Sequence, residues 1–201
     1  MRTRNKVWIF FGILLLAFAV LNFGYFSANL RLLLRGRQAA THSSSNTEGP
    51  ANAKPARADY LEIPSLGISA PVIYAAEKNE AAYQKALKQG VVHFPQTALP
   101  GQEGNCYIFG HSSDYIWSRG NYKSIFATLP SIKKGEEILI SDSQGAEYSY
   151  TVIDTAVVAA NDLSVLNQDT KGKRILTLQT SYPVGTALKR FIVRAEMIGD
   201  K

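Results

Sequence analysis

The sequence contains a single cysteine, Cys106, among its 201 residues. One cysteine excludes an intramolecular disulfide, which fits a reducing compartment and also an extracellular domain large enough to fold without one. The sequence also lacks a glycine-rich phosphate loop, a dinucleotide-binding fingerprint and a cluster of metal-ligating residues. We therefore expect neither a cofactor nor a bound metal.

Acidic residues are almost absent from the first part of the chain. Before Asp59 there are eight Lys or Arg residues and one acid, Glu48. From Asp59 onward, 14 basic and 15 acidic residues give a net charge of −1, so the overall charge of +6 arises in the N-terminal part. A protein that binds nucleic acid carries its basic patch on the folded domain. This distribution argues against nucleic acid as a partner.

Charged residues are also absent from residues 7–30, and residues 7–26 are almost wholly apolar. About 20 apolar residues cross the hydrocarbon core of a bilayer as a helix, and Trp8 and Tyr25 suit the two membrane interfaces. A cleaved signal peptide has a shorter apolar region followed by a small-residue cleavage site. We therefore predict an uncleaved, single-pass transmembrane signal anchor over residues 7–26.

Residues 27–58 join this anchor to the part of the chain that has the pattern of a folded domain, residues 59–201. Residues 30–38 mix leucine with arginine, which is typical of an amphipathic helix on anionic lipid and equally of the end of a membrane helix. Residues 39–57 are small, polar and proline-containing, and they predict a flexible linker.

The domain itself shows many short apolar or alternating runs, which predict strands, and few helical patterns. The predicted strands cover residues 61–63, 72–74, 108–111, 137–141, 147–158, 175–180 and 190–198. Helices are predicted at residues 80–89 and 122–129, with a capped single turn at residues 161–166. Many short strands with brief helices are typical of a mostly-β barrel or sandwich.

Two of the predicted strands end in side chains capable of chemistry. In residues 174–190, RILTLQTSYPVGTALKR, an apolar strand is followed by Thr180, Ser181, a Pro-Gly turn and a second strand that opens at Arg190. In residues 105–113, NCYIFGHSS, an apolar run stops at Gly110 and His111. Taken singly, each polar residue is typical of an ordinary protein surface; strand ends are also where scaffolds present reactive groups.

Together these segments resemble the sortases, the cysteine transpeptidases that attach proteins to the envelope of Gram-positive-type bacteria. The family has a strand ending in a catalytic His, matched here by His111. It has a T-L-x-T-C motif, matched by residues 177–180 but with Ser181 where the nucleophilic Cys belongs. It has an Arg on the next strand, matched by Arg190. The resemblance covers about residues 60–197 and implies an eight-stranded β-barrel.

The resemblance also implies a reaction and a location. Residue 181 would attack the carbonyl after a Thr in the C-terminal sorting motif of a secreted protein, His111 would shuttle the proton, and Arg190 would hold the carbonyl or oxyanion. Thr180 and Leu178 would contact the substrate. An amine from a cell-wall peptide or a pilin lysine would resolve the acyl-enzyme. Residues 1–6 would then be cytoplasmic, and the C-terminal domain would be extracellular at the cell membrane.

Ser181 leaves three interpretations open. A thiol with a pKa near 8.5 readily becomes a thiolate beside a cation, whereas a hydroxyl needs a base aligned by a carboxylate. Asp114 is the acid nearest to His111 in sequence, and Ser181 lacks the surrounding G-x-S-x-G elbow. The chain is an inactivated variant, a degenerate sortase that binds sorting peptides without cleaving them, or a slow serine acyltransferase, which the pKa argument ranks last.

Two other side chains are candidates for chemistry. Cys106 lies an odd number of residues from His111, so alternation along a strand places the two on opposite faces. A buried cysteine commonly serves as a small core hydrophobe, and we do not expect Cys106 to be a displaced nucleophile. His93 precedes the His111 strand, and we expect it to be structural or to line the groove.

Overall fold

The computed structural model describes residues 57–75, 77–113 and 120–197, together with Gly12. Within these residues no helix is both long enough and apolar enough to cross a membrane. The predicted cytoplasmic segment, the predicted membrane anchor apart from Gly12, and the joining segment of residues 27–58 apart from its last two residues lie outside the described residues.

The described chain contains eight β-strands and one α-helix. The strands are β1 Tyr60–Ile63, β2 Ile68–Tyr74, β3 Val91–His93, β4 Gly104–Phe109, β5 Glu137–Ser141, β6 Glu147–Ala159, β7 Arg174–Tyr182 and β8 Lys189–Met197. The helix, α1, is Glu80–Leu87, between β2 and β3. Short 3₁₀ helices cover Pro64–Leu66, Leu129–Ser131 and Ser164–Leu166.

The eight strands close into a barrel in the order β1-β2-β3-β4-β7-β8-β6-β5. Two neighbouring pairs, β2 with β3 and β4 with β7, are parallel, and the other pairs are antiparallel. Parallel neighbours need a crossover connection, which α1 supplies between β2 and β3. The mostly-β, eight-stranded barrel predicted for the domain is confirmed.

The interior of the barrel is filled by alternate side chains of its strands. In β1, for example, Leu61 and Ile63 are fully buried while Tyr60 and Glu62 are only half-buried. This two-residue period is the ordinary consequence of strand geometry. The largest fully buried side chains are Tyr150, Phe126, Leu61, Ile63, Ile108 and Leu129. Full burial of each such aliphatic or phenyl side chain contributes about 1.5–3 kcal/mol to stability.

The helix α1 begins and ends where its sequence predicts, to within two residues. The side chain of Asn79 accepts a hydrogen bond from the Ala82 N–H at 2.8 Å and caps the first turn. Ala86 and Leu87 are buried, and they pack with Val92 of β3 in a small apolar cluster. The helix therefore closes one flank of the barrel beside the strand that precedes β4.

The helix predicted over residues 122–129 is wrong. The segment instead forms successive turns with i→i+3 bonds, such as Ile125 N–H to the Tyr122 carbonyl at 3.3 Å, before the 3₁₀ helix at Leu129–Ser131. A long-range bond from the Phe126 N–H to the His111 carbonyl, at 3.0 Å, anchors this segment. An eight-residue helix has little stability of its own, so tertiary contacts determine the local conformation.

Candidate active site

Ser181 and Arg190 face one another across the last hairpin of the barrel. They are directly paired residues of the antiparallel strands β7 and β8. Residues 183–188 form the loop between the strands, where the Pro183 carbonyl accepts hydrogen bonds from the backbone N–H of Thr186 at 2.9 Å and from its hydroxyl at 2.8 Å. Directly opposed residues project to the same face of a sheet. Both side chains are half-buried.

His111 lies on the other side of Ser181. The last register pair of the parallel strands β4 and β7 joins Phe109 to Gln179, and the Gly110 N–H continues the ladder by donating to the Gln179 carbonyl at 3.1 Å. Strand β4 ends at Phe109, and two further residues along each chain bring His111 to the level of Ser181. Because neighbouring strands are about 4.8 Å apart, three adjacent strand ends bring His111, Ser181 and Arg190 together.

These three residues occupy the outer face of the barrel. Along β7, Leu176 and Leu178 belong to the interior core, so the alternation of the strand places Ser181 outside. Along β8, Phe191 and Val193 belong to the same core, which places Arg190 outside. The candidate site is therefore a surface feature of a rigid barrel rather than a cavity within it.

Thr180 and Leu178, which the family resemblance predicts to be substrate-binding residues, point away from this face. Leu178 is fully buried in the barrel core, and Thr180 is 1% exposed. The Thr180 hydroxyl donates to the Gly110 carbonyl at 2.9 Å. A peptide on the outer face cannot reach either side chain. Thr180 instead fixes the residue that precedes His111.

Gly110 permits the close approach that places His111. A Cβ atom at Gly110 would lie 2.7 Å from the ring of Phe126 and 3.1 Å from Val91, both of which are buried. Contacts under 3.0 Å force a neighbour to move, and here the nearest neighbour is a fully packed ring. Glycine is therefore required at this position by the core, and the requirement sets where the next residue lies.

We expect Gly110→Ala to destabilise the chain by about 1–3 kcal/mol, the usual cost of overpacking a core. The measurement is the urea midpoint of unfolding. Gly135→Ala is the control for backbone strain without a steric clash, because a Cβ there meets no atom within 4 Å and the residue has a positive φ of 89°. An unfolding midpoint for Gly110→Ala equal to that of the parent would contradict the close approach.

The Arg190 guanidinium bonds to the loop of its own hairpin through one nitrogen, and its other nitrogens remain available as donors. Its Nη1 donates to the carbonyl oxygens of Ala187 at 3.1 Å and Lys189 at 3.0 Å. In the described part of the chain nothing accepts a hydrogen bond from its Nη2 or Nε. A guanidinium has five N–H donors in a fixed planar fork. Arg190 is therefore anchored on one side and can bind an oxyanion or carbonyl with the other.

An aromatic layer lies beneath the candidate site on the same outer face. Tyr107 of β4 is 3% exposed and packs with Val165 and Ile192. Its ring meets Phe94 edge-on, with centroids 6.0 Å apart. Burial raises the pKa of the Tyr107 hydroxyl, and the positive charge of Arg190 opposes that rise. Arg190 and the Tyr107 hydroxyl are thus within electrostatic reach of one another.

The connection between β6 and β7 is fastened to β4 by one glutamine and one asparagine. The Gln168 side chain accepts from the N–H groups of Ala98 at 3.1 Å and Asn105 at 3.2 Å, and donates to the carbonyls of Asn105 at 3.1 Å and Leu166 at 2.9 Å. Asn105 Nδ2 donates to the Val165 carbonyl at 2.9 Å. These bonds hold Val165 over the aromatic layer and give the site a fixed wall.

Cys106 and His93 lie away from Ser181. Cys106 is 1% exposed within the barrel core, where burial raises the pKa of its thiol. His93 is 5% exposed, and burial lowers its pKa although its contact with the Ala98 carbonyl, at 2.9 Å from Nε2, acts in the opposite direction. Cys106 is thus a core residue on the face opposite to Ser181, and His93 supports the turn that follows β3.

No group of three or more His, Cys, Asp or Glu side chains among the described residues is arranged to hold a metal ion. Four residues that shape the site were not predicted to do so from the sequence: Gly110, Tyr107, Gln179 and Gln168. Only Gly110 carried a signal, because a glycine directly before a candidate catalytic histidine indicates a close backbone approach. The other three act through partners about 60 to 70 residues away, which no local pattern reveals.

Two curated proteins that are similar in sequence to this chain are both sortases. Sortase D of Bacillus subtilis (strain 168) is 27% identical over 142 residues, covering 69% of this chain and 62% of that protein. Sortase A of Bacillus anthracis is 27% identical over 141 residues, covering 70% of this chain and 60% of that protein. The matched region thus spans less than two thirds of the length of both relatives.

Among solved structures, sortase C-1 from Actinomyces oris is similar to this chain with a TM-score of 0.58 and 25% identity, over 83% of each chain. The sortase domain family matches residues 61–198, which include all eight strands of the barrel except Tyr60, the first residue of β1. That match covers more than half of the sequence. The chain belongs to the sortase family.

Proposed function

We propose that this chain has the scaffold of a membrane-anchored sortase-type transpeptidase, whose substrate is the C-terminal sorting motif of a secreted protein. The observation that supports the proposal is that Ser181 pairs directly with Arg190, while the Gly110 N–H, one residue before His111, bonds to the Gln179 carbonyl, two residues before Ser181. A nucleophile, a proton carrier and a cation for the developing oxyanion are the three parts that acyl transfer requires.

With a cysteine at position 181, the reaction runs as two acyl transfers. The thiolate attacks the carbonyl after a Thr of the motif, the C–N bond breaks, and His111 gives a proton to the departing amine. Arg190 donates to the oxygen that becomes negative. An acceptor amine, from a cell-wall peptide or a pilin lysine, then attacks the thioester, and its proton passes to His111 as the thiolate leaves.

With Ser181 in place, we propose that this chain cleaves weakly or not at all. A thiol has a pKa near 8.5 and forms a thiolate readily, whereas a hydroxyl requires general-base removal of its proton as it attacks. The second candidate function is therefore a degenerate sortase that binds sorting peptides without cleaving them. This second function is favoured by the position of the only thiol, Cys106, in the barrel core.

The surroundings of the reaction follow from the same proposal. The N-terminal segment anchors the chain in the cell membrane by one span over residues 7–26, with residues 1–6 in the cytoplasm. The barrel then works on the extracellular side, where secreted proteins and cell-wall amines occur. The charge distribution supports this arrangement. The chain before Asp59 is basic and would face the membrane, whereas the domain from Asp59 onward is nearly neutral, with a net charge of −1.

We expect a Ser181→Cys variant to gain a covalent peptide adduct that the Ser181 form does not gain. The test is intact-mass analysis of the full chain in detergent after incubation with a library of labelled hexapeptides, in which Thr is fixed at the fourth position and the other positions are randomised. The physical reason is the lower pKa of a thiol, which supplies a nucleophile at neutral pH.

Ser143→Cys is the matched control, because Ser143 lies exposed in the turn between β5 and β6. It introduces the same thiol away from His111 and Arg190, and we expect no adduct. An adduct on the Ser181 form would make the chain a serine acyltransferase. A library peptide bound by both forms but cleaved by neither would favour the binding module, and the absence of binding and adduct would refute both functions.

A further inference from the structure

Gln179 shares the outer face of β7 with Ser181. It precedes Ser181 by two residues, so the two side chains project to the same side of the strand. Two residues of a strand rise about 6.6–6.8 Å, which is the distance between the two positions along β7. Gln179 is half-buried, and its register partners are Phe109 on β4 and Ile192 on β8.

The orientation of the Gln179 amide is fixed by Tyr107. The Tyr107 hydroxyl donates a hydrogen bond to Gln179 Oε1. Tyr107 cannot move aside, because it is 3% exposed and its ring is packed against Val165, Ile192 and Phe94. A phenol has one proton to donate, and that proton is committed to Gln179. The carbonyl end of the amide is therefore turned towards the barrel wall.

The hydrogen bond from the Tyr107 hydroxyl to Gln179 Oε1 persists at neutral pH. Burial raises the pKa of Tyr107 and outweighs the opposing charge of Arg190. The phenol consequently keeps its proton, and Gln179 Oε1 keeps its donor. The amide nitrogen lies at the opposite end of the same planar group, so it is directed away from Tyr107.

The N–H groups of the Gln179 amide nitrogen have no acceptor among the described residues. A glutamine Nε2 carries two N–H groups, and no atom of the described residues accepts a hydrogen bond from it. Its donors are left to solvent at the same face as Ser181. The fixed Oε1 and the unused Nε2 together make a donor that is oriented before any ligand arrives, and such pre-orientation lowers the entropic cost of binding.

We propose that Gln179 Nε2 donates a hydrogen bond to a main-chain carbonyl of the bound peptide, two residues from the scissile carbonyl. This inference rests on the proposed function. In an extended peptide, carbonyls that point the same way recur every two residues, about 6.6–6.8 Å apart. The spacing from Ser181 to Gln179 is the same, so a peptide extended along β7 with its scissile carbonyl at residue 181 presents its next equivalent carbonyl at Gln179.

A purely structural role is the competing explanation, in which Gln179 serves only as the acceptor for the Tyr107 hydroxyl. The Gln179→Glu variant separates the two. A glutamate has nearly the same shape and keeps an oxygen for Tyr107, but it has no N–H donor. A structural role would survive this change, whereas a contact to a peptide carbonyl would be lost and replaced by repulsion between two oxygens.

The experiment measures binding of the full chain in detergent to the tightest-binding member of the hexapeptide library, by fluorescence anisotropy. We expect Gln179→Glu and Gln179→Leu to raise the Kd by about 3- to 10-fold, the loss expected for one net hydrogen bond. In the Ser181→Cys background, KM should rise by a similar factor while kcat is unchanged, since the contact is made equally before and during the reaction.

A thioamide scan of that peptide identifies the carbonyl. Sulfur is a weaker acceptor than oxygen, so a thioamide two residues from the scissile carbonyl should weaken binding to the parent but not to Gln179→Glu. Such non-additivity indicates a direct contact. Gln84→Leu is the matched control, because Gln84 is exposed on α1 and its Nε2 donates to Glu80 Oε1 at 2.8 Å.

Equal Kd values for Gln179→Glu, Gln84→Leu and the parent would overturn the inference while leaving the proposed function intact. A loss in kcat together with a lowered melting temperature would also overturn it, in favour of the structural role. If the parent and the Ser181→Cys variant bind no member of the library, the proposed function fails and the inference falls with it.

Discussion

His111→Ala in the Ser181→Cys background is expected to lower peptide cleavage by about 10³-fold, within the range that general acid–base catalysis contributes. The physical reason is that the leaving amine must gain a proton as the C–N bond breaks. Extension of the β4–β7 register by two residues brings His111 beside residue 181. The measurement is kcat for release of the C-terminal fragment of the tightest-binding hexapeptide.

The fold should tolerate this substitution. The contact that anchors the neighbouring segment uses the backbone carbonyl of His111, which accepts from the Phe126 N–H, and alanine retains that carbonyl. His42→Ala, in the predicted linker, is the matched histidine control and should leave kcat unchanged. Cleavage by His111→Ala within twofold of the parent, with an unaltered melting temperature, would remove His111 from the mechanism.

The residue types of the candidate site could be predicted from the sequence, but their proximity could not. Ser181 and Arg190 are separated by one short loop, so a hairpin brings them together by local geometry alone. His111 is 70 residues from Ser181. Its place depends on the parallel pairing of β4 with β7, and nothing in either strand sets that register. The expectation came from resemblance to a family, and the barrel supplies the geometry.

The fold shows the same division between local and long-range information. The predicted strands at residues 137–141 and 147–158 agree with β5 and β6, since alternating apolar patterns and the turn between them are local features. Strand β3 was not predicted, because all three of its residues are buried and a run of three shows no alternation. The helix predicted at residues 122–129 was wrong because the Phe126 bond to the strand end competes with a weak local preference.

The two faces of β7 have different roles, since one packs in the barrel core and the other borders the candidate site. The inward residues Leu178 and Thr180 are buried, and Thr180 fixes Gly110. The outward residues Gln179 and Ser181 border the candidate site. Substitutions on the inner face should therefore change the free energy of unfolding, while those on the outer face should change binding or catalysis at nearly constant stability. The sequence motif T-L-x-T-x contains both roles in alternation.

Arg190→Ala in the Ser181→Cys background is expected to lower kcat by about 10²–10³-fold, the usual loss when one donor to a developing oxyanion is removed. Arg190 is paired directly with residue 181, and its Nη2 and Nε have no acceptor among the described residues. Arg190→Lys should recover only part of the loss, since an ammonium keeps the charge but lacks the planar fork. The measurement is kcat and KM for the same hexapeptide.

Arg190 also bonds the carbonyls of Ala187 and Lys189, so its loss could act by loosening the hairpin loop. The two effects are separable. A loosened loop should raise KM and lower the melting temperature, whereas loss of oxyanion stabilisation lowers kcat and kcat/KM together. Arg194→Ala is the matched control, because Arg194 lies four residues further along the same face of β8 and is exposed. Equal losses from Arg190→Ala and Arg194→Ala would indicate a diffuse charge effect and would contradict an oxyanion role for Arg190.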